Sequence, residues 1–215
     1  MEKERAKAAK PSGVRKDEGR RVNRAWRHGI VSGPPLAAKT MSIPSDTPSI
    51  RKATSADATA MAELGAATFT ETFGHLYASE DLQAFLSKNH TLESWTRALH
   101  DPSRGVFVVE LQSGRKIGFI AVGACKLPVE NLEAQAGEIQ QLYVLAEFHN
   151  LRLGRRLMEQ GLEWLDSQGR APLYIGVWSE NYGAQRFYGR YGFSKVGEYG
   201  FPVGKTVDKE FILKR

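Results

Sequence analysis

The chain has 215 residues, 41% of them hydrophobic and 25% charged. That balance belongs to a chain with its own packed core and excludes a wholly disordered one. A single cysteine, Cys125, excludes an internal disulfide. No apolar run reaches the roughly 18–20 residues that cross a bilayer. The start lacks the apolar stretch of a secretory signal, so a reducing, cytoplasmic setting and no membrane partner are expected.

The formal charge of +6 is unevenly placed. Residues 1–40 carry eleven Lys/Arg against four Asp/Glu, net +7, which leaves the remainder at −1. Large apolar residues are few there and no periodicity is sustained. Residues 1–48 are therefore expected to be a disordered basic extension, and residues 49–215 the folded domain. Met41 stands where an alternative start would begin that domain. Nucleic-acid contact is expected only through the arm, if at all.

Beyond the arm, Thr54-Ser-Ala-Asp57 has capping-box spacing. Met61, Leu64, Gly65, Thr68, Phe69 and Phe73 then recur at helical spacing. A second helical region covers about 79–100, broken near Asn89-His90-Thr91. Gly105–Leu111 and Lys116–Gly123 read as a hairpin around Ser113-Gly114-Arg115. A polar loop over 126–136 precedes a strand from Glu138 to Leu145. Leu153–Ser167 is an amphipathic helix, with Leu153, Leu157, Met158, Gly161, Leu162 and Leu165 on one face. Leu173–Trp178 is an apolar strand, and Asn181 can cap the helix that carries Ala184, Phe187, Tyr188 and Tyr191. Gly192 suits a left-handed stop. Phe193–Tyr199 and Val207–Leu213 are the last strands. The order predicts an α/β (α+β) domain around a central sheet.

Two segments carry candidate chemistry. The loop from Glu147 to Arg156 opens a helix, whose first N–H groups and partial positive charge can cradle a phosphate. Arg152, Arg155 and Arg156 add charge there, although a solvated basic helix start looks the same. The Gly-Lys-Ser/Thr ending of a P-loop is absent, so nucleotide hydrolysis has no support. The second segment runs from Gly176 to Phe193: strand, Asn cap, aromatic helix, Gly-Phe exit. Its Asn181, Ala184, Phe187, Tyr188, Gly192 and Phe193 resemble the Asn-x-x-Ala-x-x-Phe-Tyr-x-x-x-Gly-Phe signature of the GNAT acyltransferases. Leu142-Tyr-Val144 and Phe148–Gly154 are similar to that family's acetyl-CoA strand and pyrophosphate loop. Thr68–Phe73, Glu138–Val144, Gly176–Val-Trp178 and Tyr199–Gly204 with Asp208 resemble the PaiA-type bacterial polyamine acetyltransferases.

The resemblance implies a GNAT-type fold with a mixed, mostly antiparallel sheet of about six to seven strands flanked by helices. It implies acetyl-CoA as cosubstrate and transfer of its acetyl group to a primary amine by direct attack. A small polyamine-like acceptor is favoured. Protein or peptide N-acetylation is the alternative within the class, and a non-catalytic acyl-CoA-binding regulatory module the alternative outside it. Acetyl-CoA is expected at Leu142, Tyr143 and Val144 of the strand and at His149, Asn150, Leu151, Arg152, Leu153, Gly154 and Arg155 of the loop. Asn181, Ala184 and Phe187 complete the expected set. Tyr188 matches the family's proton donor to the departing thiolate, although its place on an apolar helix face equally fits a core aromatic. The loop departs from the family's Gln/Arg-x-x-Gly-x-Gly/Ala: those positions are His149, Arg152 and Gly154, so one glycine is missing. An alkyl amine arrives protonated, with a pKa of roughly 10.4, and needs a base. Glu138 is on the right strand, with the direction of its side chain open. Glu71, Glu80 and Asp81 are candidates to attract the cation, and a solvated surface carboxylate is the alternative for each. Homodimers are common in the family, and the C-terminal edge strands could supply such a contact. The five histidines show no metal-ligand spacing, so no metal is expected. Cys125 reads as a small hydrophobe.

Overall fold

The computed structural model describes residues 47–215, and the expectations for the basic arm before them lie outside that range. In chain order the strands are β1 Ser49–Lys52, β2 Arg104–Glu110, β3 Lys116–Ala124, β4 Gly137–Val144, β5 Leu173–Trp178, β6 Ser194–Val203 and β7 Thr206–Lys214. The helices are α1 Ala58–Phe73, α2 Ser79–Asn89, α3 Leu92–His100, α4 Leu153–Ser167 and α5 Tyr182–Gly189. The strands form one sheet in the order β1-β2-β3-β4-β5-β7-β6. Every neighbouring pair is antiparallel except β4 and β5. Among the described residues, no helix is long and apolar enough to cross a membrane.

The centre of the sheet explains its helices. Seven consecutive residues of β3, Ile117–Gly123, are buried, the mark of a strand covered on both faces. Successive side chains point to opposite faces. Phe119 meets Trp95 of α3 edge-on at 5.2 Å. Ile120 and Val122 point the other way and press on Gly161 of α4, where a Cβ would lie 2.5 Å from Ile120 Cδ1. So α1 and α3 lie on one face and α4 on the other.

The expected element order stands, with one addition. β1 pairs with β2 from Ser49↔Glu110 to Lys52↔Phe107, although Ser-Ile-Arg-Lys has no strand alternation to announce it. Ile50 packs on the core, and ion pairs reinforce the ladder. Arg51 Nε donates to Glu110 at 2.6 Å, and the two Nη atoms donate to Asp57 at 2.8 Å each. Asp57 is buried and also accepts from the Thr54 N–H at 2.8 Å. Arg51 holds its carboxyl well below the ordinary carboxylate range.

Candidate active site

The site begins where the sheet fails to close. β4 and β5 pair only at Gly137↔Leu173 and Glu138↔Tyr174. Past that point β5 keeps β7 as its partner, through Trp178↔Glu210. β4 keeps β3. From Ile139 to Val144 the other edge of β4 therefore offers N–H and C=O groups that no strand takes up. A one-residue bulge, with Ala121↔Gln141 followed by Val122↔Ile139, sits on the same stretch. A cavity of about 830 Å³ opens along this gap.

One end of the gap leads to the loop before α4. His149 Nε2 lies 2.8 Å from the Val144 carbonyl oxygen and ties the loop to the end of β4. Asn150 (φ 67°) and Arg152 (φ 58°) are left-handed, and Arg152 is the N-cap of α4. A left-handed L-residue costs roughly 1–2 kcal/mol, so Arg152 stands where a glycine would be unstrained. Gly154 has no atom within 4 Å of where a Cβ would lie, so protein packing does not demand its glycine. That bare first turn, with its N–H groups, fits the approach of a phosphate. Arg155 is engaged by Glu159 at 2.7 Å.

Tyr188 is both a core aromatic and a lining residue. It is buried among Phe187 and Phe193, and it also lines the cavity. Burial alone raises its pKa above that of a free phenol, so the hydroxyl keeps its proton. Tyr143 is raised by burial and then by Tyr188 nearby. The Asn181 side chain accepts from the Ala184 N–H at 3.0 Å and starts α5 beside the same gap.

Of the residues expected to hold acetyl-CoA, Leu142, Tyr143, Val144, His149, Asn181 and Ala184 line the cavity. Asn150, Leu151, Arg152, Leu153, Gly154 and Arg155 lie in the loop and first turn outside it. The Leu153 side chain is 1% exposed and packs in the core, so only its backbone can serve a ligand. Phe187 points away, into a smaller cleft with Arg155, Glu159, Arg190 and Tyr191.

The other end of the gap departs from expectation. Glu71, Glu80 and Asp81 do not line the cavity. Glu71 accepts from the Ala146 N–H at 3.0 Å, Glu80 is exposed, and Asp81 accepts from the Lys205 N–H at 2.8 Å. The acids that line the cavity are Glu138, Asp208 and Glu210. Glu138 is 8% exposed, so its direction is inward. Its Oε2 accepts from the Lys126 N–H at 2.7 Å, and burial raises its pKa. The Tyr77 hydroxyl donates to Asp208. The Tyr199 hydroxyl donates to Glu210 at 2.5 Å. Burial raises the Glu210 pKa, Tyr199 lowers it, and Asp208 and Glu138 push it up again. Gly176 leaves room for this pair: a Cβ there would lie 2.7 Å from the Tyr199 hydroxyl and 2.8 Å from Glu210 Oε2. Rings close the wall, with Phe69 stacked on Phe85 at 4.3 Å and Phe73 edge-on to Trp178 at 6.2 Å.

Period-2 counting on β7 could have found Asp208 and Glu210. They share a face with buried Ile212, while Val207 on the opposite face is 66% exposed. An acid on the inward face beside an apolar residue facing out inverts the usual pattern.

Similar proteins are consistent with this arrangement. Residues 62–193 match the acetyltransferase (GNAT) family. An uncharacterized N-acetyltransferase of Lactobacillus delbrueckii subsp. lactis is 26% identical over 152 residues, 69% of this chain and 85% of that protein. One from Archaeoglobus fulgidus is 29% identical over 120 residues, 56% of this chain and 80% of that protein. Among solved structures, the PaiA N-acetyltransferase from Thermoplasma acidophilum in complex with coenzyme A matches with a TM-score of 0.63 at 17% identity. That match covers 79% of this chain and 98% of the other. The ribosomal-protein-S5-alanine acetyltransferase from Vibrio fischeri matches at 0.56 and 17%, covering 78% and 92%. At such identities these two structures show a shared fold alone. With the family match spanning most of the folded region, the chain belongs to the acetyltransferase (GNAT) family and is an N-acetyltransferase.

Proposed function

We propose that the chain transfers the acetyl group of acetyl-CoA to a primary amine of a small cationic acceptor, polyamine-like amines foremost. The observation that carries this reading is the lining of the cavity. The open edge of β4 and Tyr188 border the same cavity as Glu138, Asp208 and Glu210. Bound acetyl-CoA would supply an activated thioester. The β4 edge and the bare first turn of α4 are the backbone groups that would hold it.

The residues divide the remaining work. Asp208 and Glu210 attract the ammonium, and the rings of Phe69, Phe73 and Trp178 favour a cation while excluding water. Glu138 takes the proton that the amine must lose. Its raised pKa makes it a better base than an exposed carboxylate. Tyr188, kept protonated by burial, supplies a proton to the leaving sulfur.

Arg104 supports a second reading. It lines the cavity, and its Nε is buried without a hydrogen-bond partner. A guanidinium so placed suits an acceptor that carries a carboxylate, such as a peptide or amino acid. The ribosomal-protein-S5-alanine acetyltransferase that shares the fold has a protein acceptor in its name, in keeping with this reading. Thiol release from acetyl-CoA by the full chain separates the readings. Release with spermidine, spermine and simple diamines supports the first; release with peptides or amino acids alone replaces it by the second. No release with any amine removes the amine reading.

A further inference from the structure

The outer half of the cavity is bordered by two pieces that lie beyond the paired centre of the sheet. β7 pairs with β5 only from Glu210 onward. Residues 200–209 of the β6–β7 hairpin therefore project past the sheet, paired only with each other, apart from one bond from the Ser179 N–H to the Lys209 carbonyl. The second piece is α2, none of whose residues is buried.

The two pieces are tied to each other. The ties on the α2 side come from Tyr77, two residues before the helix, and from Asp81 and Phe85, which share one helix face at i and i+4. The Tyr77 hydroxyl donates to Asp208. Asp81 Oδ1 accepts from the Lys205 N–H at 2.8 Å, and Oδ2 accepts from the Thr206 hydroxyl at 3.2 Å. Phe85 meets Phe201 edge-on at 5.8 Å. Phe201 and Asp208 are themselves direct partners across the hairpin. Gly204, in the turn, has φ 60°, and a Cβ on it would lie 2.2 Å from Asp81 Oδ1. The turn thus has a glycine where the Asp81 side chain is seated.

We infer that Asp81 is a positioning residue for the acceptor: it pins α2 to the overhanging hairpin and so sets Tyr77, Asp208 and the Phe85 ring around the amine. Its two bonds are the only ones from α2 to the turn among the described residues, and they join segments 124 and 125 residues apart. The acetyl-CoA end of the gap is built from β4 and α4 and does not depend on this contact. The inference rests on the amine-acetylation reading for its kinetic signature.

The test uses the full chain with Asp81→Ala, Asp81→Asn and, as a charge-matched control, Glu80→Gln. Asp81→Ala raises the KM for the acceptor amine at least five-fold, with kcat and the Kd for acetyl-CoA within two-fold. Hydrogen exchange accelerates at least ten-fold in residues 79–89 and 203–206, and stays unchanged in β2–β4. Asp81→Asn keeps an acceptor oxygen for the Lys205 N–H and restores the KM to within two-fold. Glu80→Gln changes neither readout. Should Asp81→Ala fail to fold, Thr206→Ala removes one of the two bonds and raises the KM two- to three-fold. An acceptor KM that stays put while exchange rises at α2 overturns the inference, as does faster exchange spread through β2–β4. If wild-type protein acetylates no amine, the functional reading falls by itself; exchange confined to α2 and the hairpin then still supports the pin, and unchanged exchange there removes it.

Discussion

The two ends of the cavity are built on different principles. The region proposed for acetyl-CoA presents backbone: the open edge of β4 and, just outside the cavity, the first turn of α4. The region proposed for the acceptor presents side chains: Glu138, Asp208 and Glu210, the last two bonded by Tyr77 and Tyr199. Backbone groups survive substitution of the residues that carry them. On that principle the loop can hold a phosphate whatever side chains His149 and Arg152 carry. Side-chain groups do not survive it, so single changes at the acceptor end are expected to cost more.

The largest effect is expected at Glu138. Glu138→Gln lowers turnover by about 10²-fold if it is the base, and steady-state kinetics against pH check it. The wild-type rate falls as pH drops through a value above the ordinary carboxylate pKa of about 4.3, and the variant loses that limb. The same change raises Tm at pH 7. Folding lifts the pKa of this carboxyl, so the buried anion destabilises the native state at neutral pH. The gain fades as pH falls below about 4.3, where the wild-type carboxyl is protonated folded or unfolded. A variant with full activity would move the proton acceptor elsewhere.

At the junction of the two ends, Tyr188→Phe lowers turnover at least ten-fold and leaves the Kd for acetyl-CoA within two-fold, read by calorimetric titration. Equal turnover would return Tyr188 to a packing role and leave the backbone end without a side-chain catalyst.

A stability test probes the wall of the acceptor end. Gly65 on α1 faces His90, and a Cβ there would lie 2.3 Å from His90 Nδ1. His90 is buried against Phe69 and Phe85, its pKa lowered by burial to about 4. Gly65→Ala is expected to cost about 1–3 kcal/mol by overpacking, seen in urea unfolding, and to weaken the acceptor more than acetyl-CoA. Equal loss at both ends would show that the two are mechanically one.

The smallest effect is expected at Arg152. Arg152→Gly relieves a left-handed residue worth about 1–2 kcal/mol but returns about 0.5–1 kcal/mol of chain entropy. Stability should rise by no more than about 1.5 kcal/mol, with the Kd for acetyl-CoA within three-fold. A ten-fold loss of affinity would show that the guanidinium contacts the cosubstrate, and the backbone account of this end would fail.

Local patterns determined much of this molecule. The periodicity of α1 and α4, the apolar run of β3, the Asn181 cap and the left-handed Gly192 follow from neighbours in sequence, because helix, strand and cap forces act over a few residues. The family's C-terminal signature is local for the same reason. β1 escaped because it lacks alternation: its ladder with β2, the packing of Ile50 and ion pairs with Asp57 and Glu110 hold it in place. Glu138 reads as a possible base and Asp208 falls within a resemblance, but the sequence reading places neither with the acceptor and misses Glu210: alternation on β7 groups Asp208 with Glu210, and only the sheet order shows that their face, rather than that of Glu71 or Asp81, borders the cavity. The gap between β4 and β5, the overhang of the hairpin and the hold of Asp81 on a turn 124 residues away were decided only by the tertiary structure. Each depends on which strand neighbours which, and no short stretch of residues carries that information.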